Sequence, residues 1–447
     1  MSEKDWKGLL QAAALSLLLG APAAAAEAAK VVRLEARGAI TPPMSRHLQD
    51  GIEHARAEGA AAVLIELDTP GGLLDSTREI VQAMLNSPLP IIVHVAPPGA
   101  RATSAGVFIL AASDAAAMAP GTHLGAAHPV GVGGGGSSGK DAEKERSVMS
   151  EKAVSDAAAY VRVLAAEKGR NAEWAERAVR ESVSLTADEA LAQKVVDVLA
   201  RDRKELFEKL EGRRLSKGGR RLRLALAKAE VVEFPMSPLR RILQVIANPN
   251  LALLFLMIGV YGLIYEFSSP GVGFGAVVGL TSLILAGYSL SILPVNYAGL
   301  LLLLLGLVLL VLELQIPSYG LLSIGGLTIL ALGSFFLFDT DQAYLRLSLG
   351  VLGGLVATTG AFFTLVVAKL LKTRRLPPAV GVETLVGLVG EAREPLDPRG
   401  LVFVAGELWT AEASSPVGKG GRVKVRGVQG NALYVERLEE AHHDRNA

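Results

Sequence analysis

The sequence contains no cysteine. That excludes disulfide staples, thiolate zinc sites and a cysteine nucleophile, and it leaves the redox compartment open, because a thiol-free chain suits either one. An excess of one charge is also missing: 45 Lys and Arg stand against 44 Asp and Glu, a net charge of +1. Such a chain has no global basic field with which to gather phosphates, so nucleic acid is not expected as a partner. Aromatic residues make up only 5%, whereas 48 residues are glycine, so packing must rest on Ala, Gly and Leu rather than on rings. A mean hydropathy of +0.37 beside an ordinary charged fraction of 20% means that the apolar residues are unevenly distributed. At roughly 150 residues per domain, the length corresponds to about three units.

The N-terminus carries Lys4 and Lys7, a short apolar run from Leu9 to Leu19, and then Ala21-Pro22-Ala23-Ala24-Ala25-Ala26. A basic start, a short apolar stretch and a small-residue exit describe a secretory signal peptide, assigned to 1–28 with cleavage between Ala25 and Ala29. The other reading is an uncleaved anchor helix. Both export the domain that follows.

Residues 29–200 alternate buried-strand and helix patterns. Val31 to Glu35, Ala61 to Leu67 and Ile91 to Val95 read as strands, with amphipathic helices over Ser45 to Glu58 and Leu73 to Leu85. Strand–helix–strand repetition with short connections predicts a parallel sheet covered by helices. A Gly/Ser stretch, Gly131 to Gly139, interrupts the pattern before helix resumes near Ser150. Residues 201–250, with Arg213-Arg214, Arg220-Arg221 and Arg240-Arg241, read as a basic amphipathic linker.

Five apolar runs fill 251–371, near 251–267, 272–290, 297–314, 319–338 and 347–371. Runs of about 20 nearly uncharged residues are expected to cross a bilayer. Lys372, Arg374 and Arg375 follow the last run and mark that end as cytoplasmic, which places the 29–200 domain outside by counting back through five spans. Glu266 and Glu313 lie near run ends and read either as marks of an ion path or as interfacial carboxylates. Residues 380–439 hold about five short β-like runs between glycine turns, which predicts a small barrel whose alternation buries Phe403, Trp409 and Tyr434.

Two motifs in the exported domain carry candidate chemistry. Asp68-Thr69-Pro70-Gly71-Gly72 follows a buried strand, where glycines let the backbone approach a ligand and aim N–H groups outward. Ala100-Arg101-Ala102-Thr103-Ser104-Ala105-Gly106 places a serine between small residues at the entry to an apolar helix. Ser104 is there either a nucleophile with an oxyanion N–H at Ala105 or only a helix N-cap beside glycine turns.

With Met118-Ala119-Pro120-Gly121-Thr122-His123-Leu124-Gly125-Ala126 and Gly169-Arg170-Asn171-Ala172-Glu173-Trp174 in the same order, these motifs resemble the NfeD-type membrane serine proteases, relatives of the ClpP and signal-peptide-peptidase group. The resemblance covers nearly the whole chain. It implies an α/β ClpP/crotonase-like exported domain, a multi-span α-helical membrane bundle and a small all-β OB-like C-terminal domain. It also implies a serine–lysine dyad without cofactor or metal. Ser104 matches the nucleophile and Lys152 the base, with the N–H groups of Gly72 and Ala105 as oxyanion donors. A lysine acts as a base only when neutral, and a free ammonium titrates near about 10.4, so desolvation or nearby positive charge must shift it. Ala153 and Val154 suit that requirement and Glu151 opposes it; Lys140 and Lys144 are rivals in a more polar stretch. His128 stands where ClpP proteases place their histidine, as an alternative base or a groove residue, while His94 and His123 read as structural. The implied substrate is an apolar segment of a membrane protein, and the implied partners are a stomatin/prohibitin-like (SPFH) protein, the lipid bilayer and further copies of the chain. The rival is a non-catalytic membrane scaffold or regulator of such a protein.

Overall fold

The structure is a computed structural model and describes residues 29–129, 140–268, 273–316, 318–338, 346–374 and 382–438. The signal peptide expected over 1–28 and the Gly/Ser stretch 131–139 lie outside the described residues.

The first domain opens with β1 (Lys30–Arg37), α1 (Pro42–Ala57), β2 (Ala62–Asp68), α2 (Leu74–Asn86) and β3 (Ile91–Val95). It continues with β4 (Arg101–Thr103), α3 (Ala105–Ala112), β5 (Ala115–Met118) and β6 (His123–Gly125). Then come α4 (Lys140–Glu167), α5 (Ala172–Arg180), β7 (Ser184–Thr186), α6 (Ala187–Ala192) and β8 (Val198–Leu199). Strands β2, β3 and β5 are apolar almost throughout and buried on both faces, the pattern of central parallel strands covered by helices. In α1 the residues Met44, Leu48, Ile52 and Ala55 recur at helical spacing and turn one face to the sheet. A second, small sheet runs β4-β6-β7, with β4 and β6 parallel. It stands at the ends of β2 and β3 and holds the candidate site.

The stretch expected to be a basic linker, 201–250, is built into this domain instead. It forms α7 (Arg203–Leu210), a hairpin of β9 (Arg214–Lys217) and β10 (Arg220–Arg223), the edge strand β11 (Glu230–Glu233), and α8 (Pro238–Ile246). The parallel sheet therefore reads β11-β1-β2-β3-β5-β8. Several of its charges are engaged rather than loosely solvated. Arg33 on β1 bonds Glu66 and Glu233 at 2.5 Å each, and Arg203 reaches Glu233 at 3.0 Å. Leu206, Phe207 and Leu210 pack under the sheet beside Leu224 and Leu226.

Five long apolar helices follow: α9 (Pro249–Ser268), α10 (Phe274–Ile292), α11 (Tyr297–Gln315), α12 (Leu321–Leu337) and α13 (Leu349–Arg374). Two of them, over Pro249–Phe267 and Phe274–Ile292, are long and apolar enough to cross a membrane. Large apolar side chains point outward, Ile284 being 71% exposed, which suits a lipid surround rather than water. Helices α9 and α10 meet along small residues: a Cβ added at Gly262 would stand 3.0 Å from Gly275 O and Gly279 Cα. The carboxylate of Glu266 accepts the Gly275 N–H at 3.0 Å, and that of Glu313 accepts N–H groups of Gly320 and Ser323. Both carboxylates thus satisfy the start of the following helix, a structural use.

The last unit is a closed barrel of β12 (Val389–Ala392), β13 (Arg399–Val404), β14 (Glu407–Ala413), β15 (Arg422–Gln429) and β16 (Ala432–Arg437), in the order β12-β13-β14-β16-β15. Small aliphatics such as Val402, Ala411, Val423 and Leu433 fill it. Phe403 and Tyr434, expected inside, are exposed on the outer face, where Arg393 lies over the Phe403 ring at 5.3 Å. Aliphatic side chains occupy the interior, and of the three rings only Trp409 is partly tucked against that core.

Candidate active site

Backbone hydrogen bonds zip the Asp68–Gly72 loop to the strand that precedes Ser104. Thr69 N–H donates to Arg101 O at 2.7 Å, and Thr103 returns both its N–H and its hydroxyl to Thr69 O at 3.1 and 3.2 Å. The Asp68 carboxylate accepts the Arg101 N–H at 3.2 Å. Two motifs about thirty residues apart in the chain are thereby fixed side by side.

Ser104 sits between β4 and α3 with φ 53° and ψ −111°. Positive φ in a non-glycine residue costs roughly 1–3 kcal/mol and persists only where the surroundings impose it. They do so here: the Ser104 N–H donates to Gly125 O on the neighbouring β6 at 3.1 Å. Gly125 itself has φ 134°, and a Cβ there would meet Val183 O at 2.3 Å. Although Ser104 holds the N-cap position of α3, its side chain makes no capping hydrogen bond. The half-buried hydroxyl therefore does not cap α3 and has no hydrogen-bond partner among the described residues. A serine on a strained strand-to-helix turn has the local geometry of the nucleophile elbow of hydrolases.

Among the described residues, the N–H groups of Gly72 and Ala105 have no hydrogen-bond acceptor. Ala105 opens α3, where N–H groups lack intrahelical partners. Gly72 must be glycine, because a Cβ would lie 2.2 Å from Ile40 O. Ile40 clasps the loop on both sides, donating its N–H to Gly71 O and accepting that of Leu73, both at 2.8 Å.

Beyond β6 the chain carries His128, half-buried, whose Nδ1 lies 2.9 Å from Val179 O. That contact makes Nδ1 the protonated nitrogen and leaves Nε2 as the basic one. His94 is buried with Nε2 3.0 Å from Ala200 O, and burial lowers its pKa; His123 is exposed on β6. Lys152 is placed differently. It lies on α4, exposed, with no ion pair or hydrogen bond among the described residues. The helix is nonetheless docked on the serine's helix, because Tyr160 stacks on Phe108 of α3 at 6.0 Å and Val154 packs on the core. Among the described residues, nothing covers Lys152 as the expected desolvation requires. The rival Lys140 and Lys144 side chains lie outside the description.

One element of the site has no signal in the sequence beyond its motif. The Arg170 guanidinium is buried at the far end of α3 and donates to Leu110 O, Ala111 O and Ser113 O at 3.1, 3.1 and 2.9 Å. It also holds Asp197 at 2.7 Å, which in turn accepts from Ala116 N–H and Arg213, each at 2.7 Å. Burial alone would raise the Asp197 carboxyl; the charges of Arg170 and Arg213 and the Ala116 N–H outweigh it and hold it below its ordinary range. Arg170 so caps the C-terminus of the helix whose first residue follows Ser104. No group of three His, Asp or Glu among the described residues could hold a metal ion.

Fold and site together define a class: an α/β ClpP/crotonase-like domain with a serine elbow, followed by apolar helices and an OB-like barrel. Three family profiles match in the same order. They are the NfeD1b N-terminal domain over 30–215, the NfeD integral membrane domain over 250–369, and the NfeD-like C-terminal, partner-binding domain over 382–437. The chain is 33% identical over 415 residues to the membrane-bound protease PH1510 of Pyrococcus horikoshii, covering 90% of this chain and 92% of the relative. It is 28% identical over 246 residues to the membrane protein NfeD1b of Bacillus subtilis, 55% of this chain and 52% of that one. The chain belongs to the NfeD family. Among solved structures it is similar to the Pyrococcus 1510-N stomatin-specific protease, in a lysine-to-alanine variant with a substrate peptide. That similarity has 35% identity and TM-score 0.43, over 49% of this chain and 98% of the other. It is also similar to the 1510-C domain of the stomatin operon partner protein, at 36% identity and TM-score 0.13 over 14% and 98%.

Proposed function

We propose that the chain is a membrane-anchored serine endopeptidase working through Ser104 and Lys152. The observation that carries this reading is the strained, uncapped Ser104 beside the two unpaired N–H groups of Gly72 and Ala105. Ser104 Oγ attacks a peptide carbonyl carbon while the neutral Lys152 amine takes its proton. The carbonyl oxygen becomes an anion held by the Gly72 and Ala105 N–H groups. Collapse breaks the C–N bond, the ammonium returns its proton to the leaving amine, and water then hydrolyses the acyl-serine by the same route. The family relative named as a protease supports the reaction class. The substrate is read as an apolar segment of a stomatin/prohibitin-like membrane protein, the partner class implied by the resemblance. The barrel matched by the family's partner-binding profile supplies a docking module for it. The five apolar helices are read as a multi-pass anchor, with the protease domain extracytoplasmic and the barrel cytoplasmic, and the chain as a homo-oligomer.

The exposure of Lys152 favours a second reading, a non-catalytic scaffold or regulator, because the described residues do not supply the cover from water that a lysine base needs. Cleavage of an apolar peptide by the full chain in detergent separates the two. Loss of cleavage in both Ser104→Ala and Lys152→Ala supports the dyad. Cleavage absent in the wild type, or indifferent to Ser104, leaves the scaffold.

A further inference from the structure

A cleft of about 590 Å³ opens between the Gly72 loop and one set of ends of the apolar helices, the starts of α9 and α13 and the end of α10. Gly72 and Leu73 line one side, and Val245, Leu254, Leu293 and Val351 line the other. Its walls form one piece. Gln244 of α8 donates to Ala39 O at 2.7 Å and accepts the Thr41 hydroxyl, and Ile40 between them is the residue that clasps Gly71 and Leu73. An ion pair from Arg240 to Asp50 adds a second tie between α8 and α1. The loop that presents the Gly72 N–H is thus tied, through Ile40 and its neighbours and then Gln244, to α8, which leads into α9.

We propose that this cleft seats the apolar residues flanking the scissile bond of a chain segment leaving the bilayer. The inference rests on the oxyanion role given to Gly72 under the proposed function. Three features commit the occupant. The cleft is continuous with Gly72, so a peptide whose carbonyl meets that N–H extends into it. Its floor is the start of α9, the end of α10 and the start of α13, where the chain enters and leaves the apolar bundle. Only a substrate that is itself emerging from lipid meets both sides. The lining is aliphatic and amide, with Arg37 its only charged member, which suits an uncharged apolar stretch and penalises a charged one. The cleft selects for apolar sequence by position, and a soluble polar peptide passing the same serine gains nothing from it.

The test uses the full chain in nanodiscs carrying Ser104→Ala, with a fluorescein-labelled Leu/Val/Ala peptide as probe and anisotropy as readout. Val245→Trp and Leu254→Trp each fill the cleft and are expected to weaken binding by about tenfold or more, the scale of one buried aliphatic side chain. Ile242→Trp lies on the same helix outside the cleft, 56% exposed, and is expected to bind as the parent does. Equal binding by all four proteins, or equal loss in Ile242→Trp, overturns the cleft assignment. Because binding is read without turnover, the catalytic reading is judged apart, by cleavage of the same peptide with Ser104 restored. Cleavage that survives Ser104→Ala sinks that reading, whatever the anisotropy shows.

Discussion

Around Ser104 the neighbouring backbone is committed: its N–H is held by Gly125, Thr103 is tied to Thr69, and the far end of α3 is gripped by Arg170. Lys152 itself is uncommitted: its side chain is exposed on α4 with no partner among the described residues, although Val154 and Tyr160 dock the same helix on the core. Preorganised donors work because they require no rearrangement as charge develops, and a folded domain can supply them alone. A lysine base needs the opposite, removal of water, which an exposed helix face does not supply. On the proposed reading, the serine half of the site is built by the domain's own backbone, and the lysine half requires a cover over α4 that the described residues do not supply.

The largest expected effect lies on the committed side. Ser104→Ala should lower apolar-peptide cleavage by about 10,000-fold or more, as when a nucleophile acting within a catalytic unit is removed. Ser104→Gly should do the same while raising the thermal midpoint, since glycine adopts φ 53° without the roughly 1 kcal/mol of strain a side chain carries. Cleavage and melting of the same preparations check both. Wild-type activity in either variant would break the comparison at its root.

Next comes the base. Lys152→Ala should cost about 1,000-fold, in the usual range for removing a general base, and His128→Ala less than about tenfold. The reverse ranking would transfer the base to His128, whose Nδ1 contact with Val179 already fixes its tautomer. The two halves of the site would then be equally preorganised, and the contrast drawn above would vanish.

What was legible follows from where the information lies. Runs such as Ile91 to Val95 announce buried strands by composition alone, and the small residues of Asp68–Gly72 and Ala100–Gly106 mark strand ends where backbones approach closely, as Gly72 does on Ile40. The backbone angle of Ser104 was not legible, since it is imposed by Gly125 on another strand. Nor was the role of Arg170, whose three carbonyl partners lie some sixty residues earlier. Strand β11 offers only Val231 and Val232 between glutamates, and it is recruited by β1 two hundred residues away, which local pattern cannot show. The exposure of Lys152 escaped because apolar neighbours in sequence are not neighbours around a helix.

A smaller effect tests how tightly the serine's surroundings are built. Gly125→Ala would set a Cβ 2.3 Å from Val183 O, so β7 or β6 must move, and the Ser104 N–H would lose its fixed acceptor. Cleavage should fall by about 100-fold, comparable with losing one oxyanion donor, with Ser104 still present to react. If activity and melting both stay at the wild-type level, Ser104 holds its geometry without β6, and the contrast with Lys152 loses its basis.

The smallest effect on cleavage is expected at Asp197, which acts on α3 from its far end and should act chiefly on stability. Its carboxyl titrates below the ordinary 3.8 in the folded chain, so the unfolded chain binds its proton first as pH falls. The stabilisation is therefore complete above that ordinary value and is lost as pH drops through the lower, folded-state value. Asp197→Asn leaves the buried Arg170 without its counter-charge and should cost about 3 kcal/mol near neutral pH. It should also flatten the acid limb of the stability curve, because the group that titrates is gone. Melting of the full chain in detergent from about pH 7 to about pH 3 reads both effects in one series. A variant that matches the wild type at neutral pH would show that the three carbonyl contacts of Arg170 hold α3 unaided, and that the grip on this helix is one of hydrogen bonds rather than charge.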